Sequence, residues 1–311
     1  MSEDSVVNAK HRMLELFAEL DEAEIDTIEQ WICNHSYRKD LERKKALKSS
    51  DKTLIKIGNS IKKIVPFEAE MQSEIIMPPT IGDQADCNKT NTIHVDEFLY
   101  DEDSVDDLVK TGKLKRHYCI DCNSQNIKDF IYISHSMSRQ ALQYIFKVLL
   151  PSDLEDKQIL DVGSRLGAVL YGAYYFSNAG TIVGIEMNGE CCDVQKRIID
   201  QYTMDSNRIK VVHSDVLERS DLITNSDIII INVLEFFVNN EKHTEMWHFF
   251  KKYIKKGSYL ICNRSMTDTL VNLDIFEEFM DWLSICKPNQ LENEIFFDVE
   301  DYSDLYLYTV N

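Results

Sequence analysis

Between Gln158 and Asn263, short runs of β-branched and aliphatic residues alternate with segments of helical periodicity, and no other feature constrains the fold so tightly. QILDV (158–162), TIVGIE (181–186), RIKVVH (208–213), DIIIIN (227–232) and SYLICN (258–263) read as strands. Runs this uniformly apolar suit strands covered on both faces, which is the condition of a parallel sheet flanked by helices. Helices are expected near 165–177, 189–203, 217–224 and 241–255, and SMSRQALQYIFKVLL (136–150) forms a leading helix that must end at Pro151. This order predicts a doubly wound α/β domain with its ligand at the carboxyl ends of the strands. A helix near 271–286 and two strands in NEIFFDV and DLYLYTV complete a mostly parallel, Rossmann-like sheet of seven.

The chain before this domain has a different character. Met13, Leu16, Phe17 and Leu20 repeat at helical spacing, as do Ile25, Ile28 and Ile32, and the first proline is Pro66. Residues 1–65 are therefore expected to be an α-helical region. Pro66, Pro78 and Pro79, followed by the polar run GDQADCNKTN, mark a connector over 66–126, and the α/β domain spans 127–311.

The net charge of −19 repels polyphosphate and attracts cationic partners, so a basic protein or a cationic small molecule is favoured over bare nucleic acid. One segment departs from this. Residues 38–63 hold ten Lys and Arg against Asp40, Glu42 and Asp51, which suits a solvated helix face or, alternatively, an RNA contact. The longest apolar stretch, Ile228 to Val238, is interrupted by Asn232 and Glu235 and falls well short of the roughly 20 residues a membrane span needs. The beginning is acidic and then amphipathic, without the pattern of a signal peptide, and predicts a cytoplasmic or nuclear protein.

Eight cysteines in such a chain suggest reduced thiols. Cys119 and Cys122 stand apart as C-x-x-C in RHYCIDCNSQ, with Cys87, His94 and His117 upstream. The pair admits three readings: half of a zinc site, which needs four ligands in all, a redox pair, or a loop without metal.

Six of the ten glycines fall between 163 and 189, around the first two strands. In DVGSRLG (161–167) an apolar strand enters a glycine turn and then a helix, so that backbone amides can face a ligand. A dinucleotide site wants G-x-G-x-x-G, but here Arg165 and Ala168 hold the later glycine places, which relaxes the demand for a pyrophosphate. S-adenosylmethionine lacks a pyrophosphate. Asp161 supplies a carboxylate for its cationic amino group, Glu186 at the end of the second strand can accept from ribose hydroxyls, and Asp215 follows the third strand.

With these motifs in order, the chain resembles the class I S-adenosylmethionine-dependent methyltransferase superfamily over about 130–311, through LDVGSRLG, VGIEMN, HSDVL and INVLEFF. The resemblance implies that Asp161, Gly163, Ser164, Arg165 and Gly167 surround the methionine end of the cofactor, Glu186 and Met187 the ribose, Asp215 and Val216 the adenine, with Asn232 at the fourth strand. Two departures stand out: the middle glycine is Arg165, and the frequent N-V-L-E-H reads N-V-L-E-F, with Phe236 in place of the histidine.

Catalysis in this class needs few side chains, because the sulfonium already activates the methyl group. The fourth strand carries no N-P-P-Y or D-P-P-Y, which disfavours transfer to adenine or glutamine nitrogen. Asn232 and Glu235 are the candidates nearest the acceptor, with Glu235 suited to hold a cationic amine; rival roles are backbone satisfaction and capping. FIYISHSMSRQ supplies a second wall through Tyr132, His135 and Ser136, with His135 a candidate acid or base. A catalytically inactive scaffold that keeps the fold is the competing expectation.

Overall fold

The computed structural model describes residues 3–77, 87–120, 126–232 and 234–311. It divides into two compact units, Met1–Ser49 and Ser50–Asn311. The first contains helix α1 (Glu3–Phe17), α2 (Glu22–Cys33) and the start of α3 (Ser36–Ile61). Asp21 begins α2 with a capping box: its side chain accepts from the Glu24 amide, and the Glu24 carboxylate accepts from the Asp21 amide. Leu54, Ile57 and Ile61 at the end of α3 are fully buried and belong to the core of the larger unit.

The larger unit is built on one seven-stranded sheet. In chain order its strands are β1 (Gln158–Val162), β2 (Thr181–Glu186), β3 (Ile209–His213), β4 (Ile228–Ile231), β5 (Tyr259–Cys262), β6 (Leu283–Ile285) and β7 (Tyr306–Val310). Their spatial order is β6-β7-β5-β4-β1-β2-β3. Five strands run parallel, while β7 pairs antiparallel with both β5 and β6 at one edge. Helices α4 (Glu102–Lys110) and α5 (Arg139–Tyr144) precede the sheet, and α6 (Ala168–Phe176), α7 (Gly189–Gln201), α8 (Ser220–Asn225) and α9 (Asn240–Tyr253) connect its strands.

Successive strand residues face opposite sides and enter separate cores. Ile159, Ile182, Ile228 and Ile230 join Leu142, Phe146 and Tyr171 on one face. Leu160, Val183, Ile229 and Ile231 meet Trp247, Phe250 and Ile254 on the other. Each such side chain contributes about 1.5–3 kcal/mol by leaving water. The chain winds from β1 to β2 on one side and places β4 on the other, which opens a crevice at the carboxyl end of β1.

Three expected elements differ. The helix expected near 271–286 is two short helices, Met266–Asn272 and Phe276–Phe279, followed by β6. NEIFFDV is no strand: Leu291–Phe296 winds as a 3-10 helix, because buried Asn293 turns inward to donate to the Lys147 carbonyl at 2.6 Å. The helix expected over 136–150 is α5 continued by a π turn, Ile145–Leu149, before Pro151.

Candidate functional site

The turn after β1 is shaped by two glycines. Gly163 has φ +75, and a Cβ there would meet nothing within 4 Å, so its open side faces the crevice. Gly167 has φ +88, and a Cβ there would lie 2.6 Å from the Tyr171 ring. Arg165 between them also adopts a left-handed φ of 42, a costly conformation for any residue with a Cβ. Its contacts hold it there. The amide donates to Glu186 Oε2 at 2.8 Å, and the carbonyl accepts from Gln195 Nε2 at 2.7 Å. The guanidinium, buried, reaches Glu74 at 2.7 Å, Asp96 at 3.3 Å and the Ala69 carbonyl.

Glu186 ends β2 with both carboxylate oxygens held by amides, Oε2 by Arg165 and Oε1 by Asn188 at 2.7 Å. Burial outweighs these donors and raises its pKa. Asp161 is 3% exposed, and burial together with the Glu186 carboxylate raises its pKa far above the ordinary range.

A cavity of about 280 Å3 opens at these strand ends. Gly163, Arg165, Glu186, Met187, Asp215, Val216, Asn232 and His135 line it. Three of the residues expected around the cofactor do not. Asp161 is buried beneath the turn, Ser164 turns its hydroxyl to Gln195 Oε1 at 3.0 Å, and Gly167 packs on Tyr171. Asp215 is engaged twice, with Oδ1 accepting from the Leu217 amide and Oδ2 paired with Lys242 Nζ at 2.5 Å. Asn232 reaches the His135 carbonyl at 3.4 Å.

Glu235 is a correction. Its side chain lies in a separate cavity of about 20 Å3 with His243, Trp247 and Arg264, and Arg264 Nε stands 2.9 Å from its Oε1. The 3-10 turn Leu234–Phe236 carries it there, and it does not line the crevice in which it was expected to hold a cationic amine. Tyr132 also points elsewhere, donating to the Lys115 carbonyl along an acidic groove. Ser136 is buried and donates to Asp96 Oδ2 at 2.5 Å, which ties the His135 segment to the Arg165 network.

His135 is brought to the wall by a small parallel pair, Thr92–His94 with Ile131–Ile133. His94 Nδ1 and His135 Nε2 lie 2.9 Å apart, and the rings stack at 5.0 Å. Burial, with Arg165 and His94 nearby, pushes the His135 pKa down to about 2, so the ring is neutral. Phe236, which stands where the resemblance leads one to expect histidine, packs against this ring at 5.1 Å.

A further part of the lining comes from a strap of residues 69–77, whose position here follows from no local pattern in the chain. Glu74 and Ala69 bind Arg165, Asn188 Nδ2 donates to Ser73 Oγ at 2.9 Å, and the Met77 amide donates to the Phe236 carbonyl at 2.9 Å. Lys242, Ser73 and Glu74 line the crevice and carry no motif that would have announced them.

The zinc expectation finds no support. Cys119 ends an exposed strand, His117–Cys119, and Cys122 lies outside the described residues, as do Pro78 and Pro79 of the connector. Cys87 is buried against Ile133 and Phe236, His94 bonds to His135, and His117 pairs with Asp129. Among the described residues no group of three or more His, Cys, Asp or Glu is arranged to hold a metal ion. Nor is any described helix long and apolar enough to cross a membrane.

No family model matches the chain, and no curated protein matches it. Among solved structures it is similar to a precorrin-6y methyltransferase from Geobacter metallireducens, at 13% identity over 56% of this chain and 86% of that one, with TM-score 0.37. An O-methyltransferase from Bacillus cereus in complex with SAH gives 15% identity over 58% and 84%, with TM-score 0.37. An RNA methyltransferase from Salinibacter ruber, with S-adenosyl-L-homocysteine, gives 14% over 40% and 72%, with TM-score 0.32. The remoteness of these likenesses leaves ligand and reaction to the crevice itself.

Proposed function

We propose that the crevice binds S-adenosylmethionine and that the protein transfers its methyl group to an acceptor without phosphate. The observation that carries this is Glu186, a buried carboxylate at a strand tip, held by two amides and lining an open cavity beside Gly163. A carboxylate so fixed keeps lone pairs for a pair of vicinal hydroxyls, and two amides spare it a cationic partner. The donor set fits the cofactor: Glu186 would hold the ribose, Val216 with Leu234 and Met246 would cover an apolar base, and the Gly163 turn would admit the methionine end.

When bound, the sulfonium supplies an activated methyl group. The protein's residues supply position and exclusion of water. Asp215 shares its charge with Lys242, so the adenine edge would meet a pair rather than a lone acid. Asn232, just after β4, would orient the acceptor, a reading supported by its place in the lining of the crevice. The net charge of −19 opposes a polyphosphate acceptor.

Calorimetric titration with S-adenosylmethionine tests the cofactor. Binding weakened by Glu186→Ala is expected, and absence of heat with the folded wild type rejects the assignment. Transfer of a radiolabelled methyl group into fractionated cell extract then tests turnover; binding without transfer would favour an inactive scaffold.

A further inference from the structure

The first unit, Met1–Ser49, has no core of its own: none of residues 5–49 is buried, although they include most of α1, all of α2 and the start of α3. Val6, Val7, Met13, Leu14 and Leu16 of α1 are between 41% and 67% exposed. Helices of 15 and 12 residues hold their shape poorly in water unless an apolar face is covered. Val6, Ala9, Met13 and Leu16 recur at intervals of three, four and three, the seam by which one helix packs along another. Among the described residues of this unit, no helix packs along α1. The unit is also divided in charge. Residues 3–33 carry nine Asp and Glu against Lys10 and Arg12, whereas residues 36–48 carry six Lys and Arg against Asp40 and Glu42. Glu22, Asp26 and Glu29 of α2 and Lys44, Lys45 and Lys48 of α3 are exposed, and none of the six forms an ion pair among the described residues.

We propose that the first unit is a dimerisation arm and that its partner is the same arm of a second copy of this chain. The apolar seam of α1 packs against its counterpart, and the acidic α2 of each copy faces the basic start of α3 in the other. Each copy carries both charges, so the contact is reciprocal, as two-fold symmetry requires. A basic partner would suit the acidic half and be repelled by α3, and a polyanion would suit α3 and be repelled by α1 and α2. A second copy matches both halves and supplies the apolar stripe as well.

Sedimentation equilibrium of the full-length chain tests the arm. The expected species has twice the monomer mass of 36.2 kDa and loosens as salt is added, because the facing charges are exposed. A chain that stays monomeric at every soluble concentration overturns the proposal, and so does a monomer that sediments instead with RNA or phosphatidylserine vesicles. Met13→Glu with Leu16→Glu should abolish the dimer; a dimer that survives both substitutions overturns the placement of the seam. Charge reversal then tests the second contact. Lys44→Glu, Lys45→Glu and Lys48→Glu in one protein, and Glu22→Lys, Asp26→Lys and Glu29→Lys in another, should each weaken self-association by roughly tenfold or more, the scale of several exposed pairs turned repulsive. Mixed together, these two proteins carry opposite charges at every facing position, so a dimer of one copy of each should form more tightly than either forms with itself. Reversals without effect, or a mixture that pairs no better than its components, overturn the proposal. Should a reversed variant not fold, the wild type and the Met13→Glu, Leu16→Glu protein decide.

Discussion

The crevice has two walls of different origin. One is made of strand tips and the turns that follow them, Gly163, Glu186, Asp215 and Asn232, all drawn from one run of consecutive β-α units. The other is made of Ser73, Glu74 and His135, which reach the crevice from outside those units and are joined to it through Arg165. The first wall presents amides and carboxylates suited to a cofactor. The second presents imidazole and a buried ion-pair network. The residue that departs from the glycine pattern of the turn is thus the residue that fastens the second wall to the first.

Replacing Arg165 should break that union and give the largest effect. Arg165→Gly would relieve the left-handed backbone, worth about 1 kcal/mol. It would also leave Glu74 and Asp96, with side chains 5% and 1% exposed, as buried carboxylates without their cation, a loss of about 3–5 kcal/mol. The loss outweighs the relief, so the urea midpoint is expected to fall; an unchanged midpoint would mean that the strap is held by other contacts. Glu186→Gln tests the first wall alone. It keeps one oxygen for the amides and removes the charge, so S-adenosylhomocysteine should bind about 10- to 100-fold more weakly, the equivalent of about 1.5–3 kcal/mol for hydrogen bonds to a charged group.

The two walls also differ in how far the sequence disclosed them. β1 to β5 lie within a residue or so of the expected strands, because each is an apolar run bounded by turn residues. Glu186 and Gly163 follow from the same local pattern. The strap does not: Glu74 finds Arg165 across 91 residues and His94 finds His135 across 41, and neither pairing leaves a periodicity to read. Glu235 misled for a related reason. A strand end fixes where a residue lies, but the 3-10 turn after β4 fixes which side of the sheet its carboxylate faces.

Asp161, buried in β1, gives the first wall a pH-dependent stability. Its raised pKa means that the folded state binds its proton more tightly than the unfolded chain does. The stability this confers is complete below the unfolded value of about 3.8 and is lost as pH rises through the folded pKa. Asp161→Asn removes the penalty and should raise stability at pH 7 by roughly 1–2 kcal/mol, while flattening the pH dependence of thermal unfolding above pH 4. His135 acts with the opposite sign. Held neutral with a pKa near 2, it contributes stability that is complete above about 6.5 and declines as pH falls toward that value, so His135→Phe should flatten the acid limb.

The smallest effect belongs to Glu235. With the walls divided in this way, Glu235→Gln changes a side chain that faces Arg264 and His243 in a cavity large enough for little more than a water molecule. S-adenosylhomocysteine binding should then stay within about twofold of wild type, because no contact to the crevice is removed. Stability should fall by about 1 kcal/mol or less, since Glu235 is 16% exposed and Arg264 29%, and solvent screens the pair. A tenfold loss of binding would show that the fourth strand's acid reaches the ligand after all, and the division between a wall of strand tips and a wall from the preceding chain would have to be redrawn around β4.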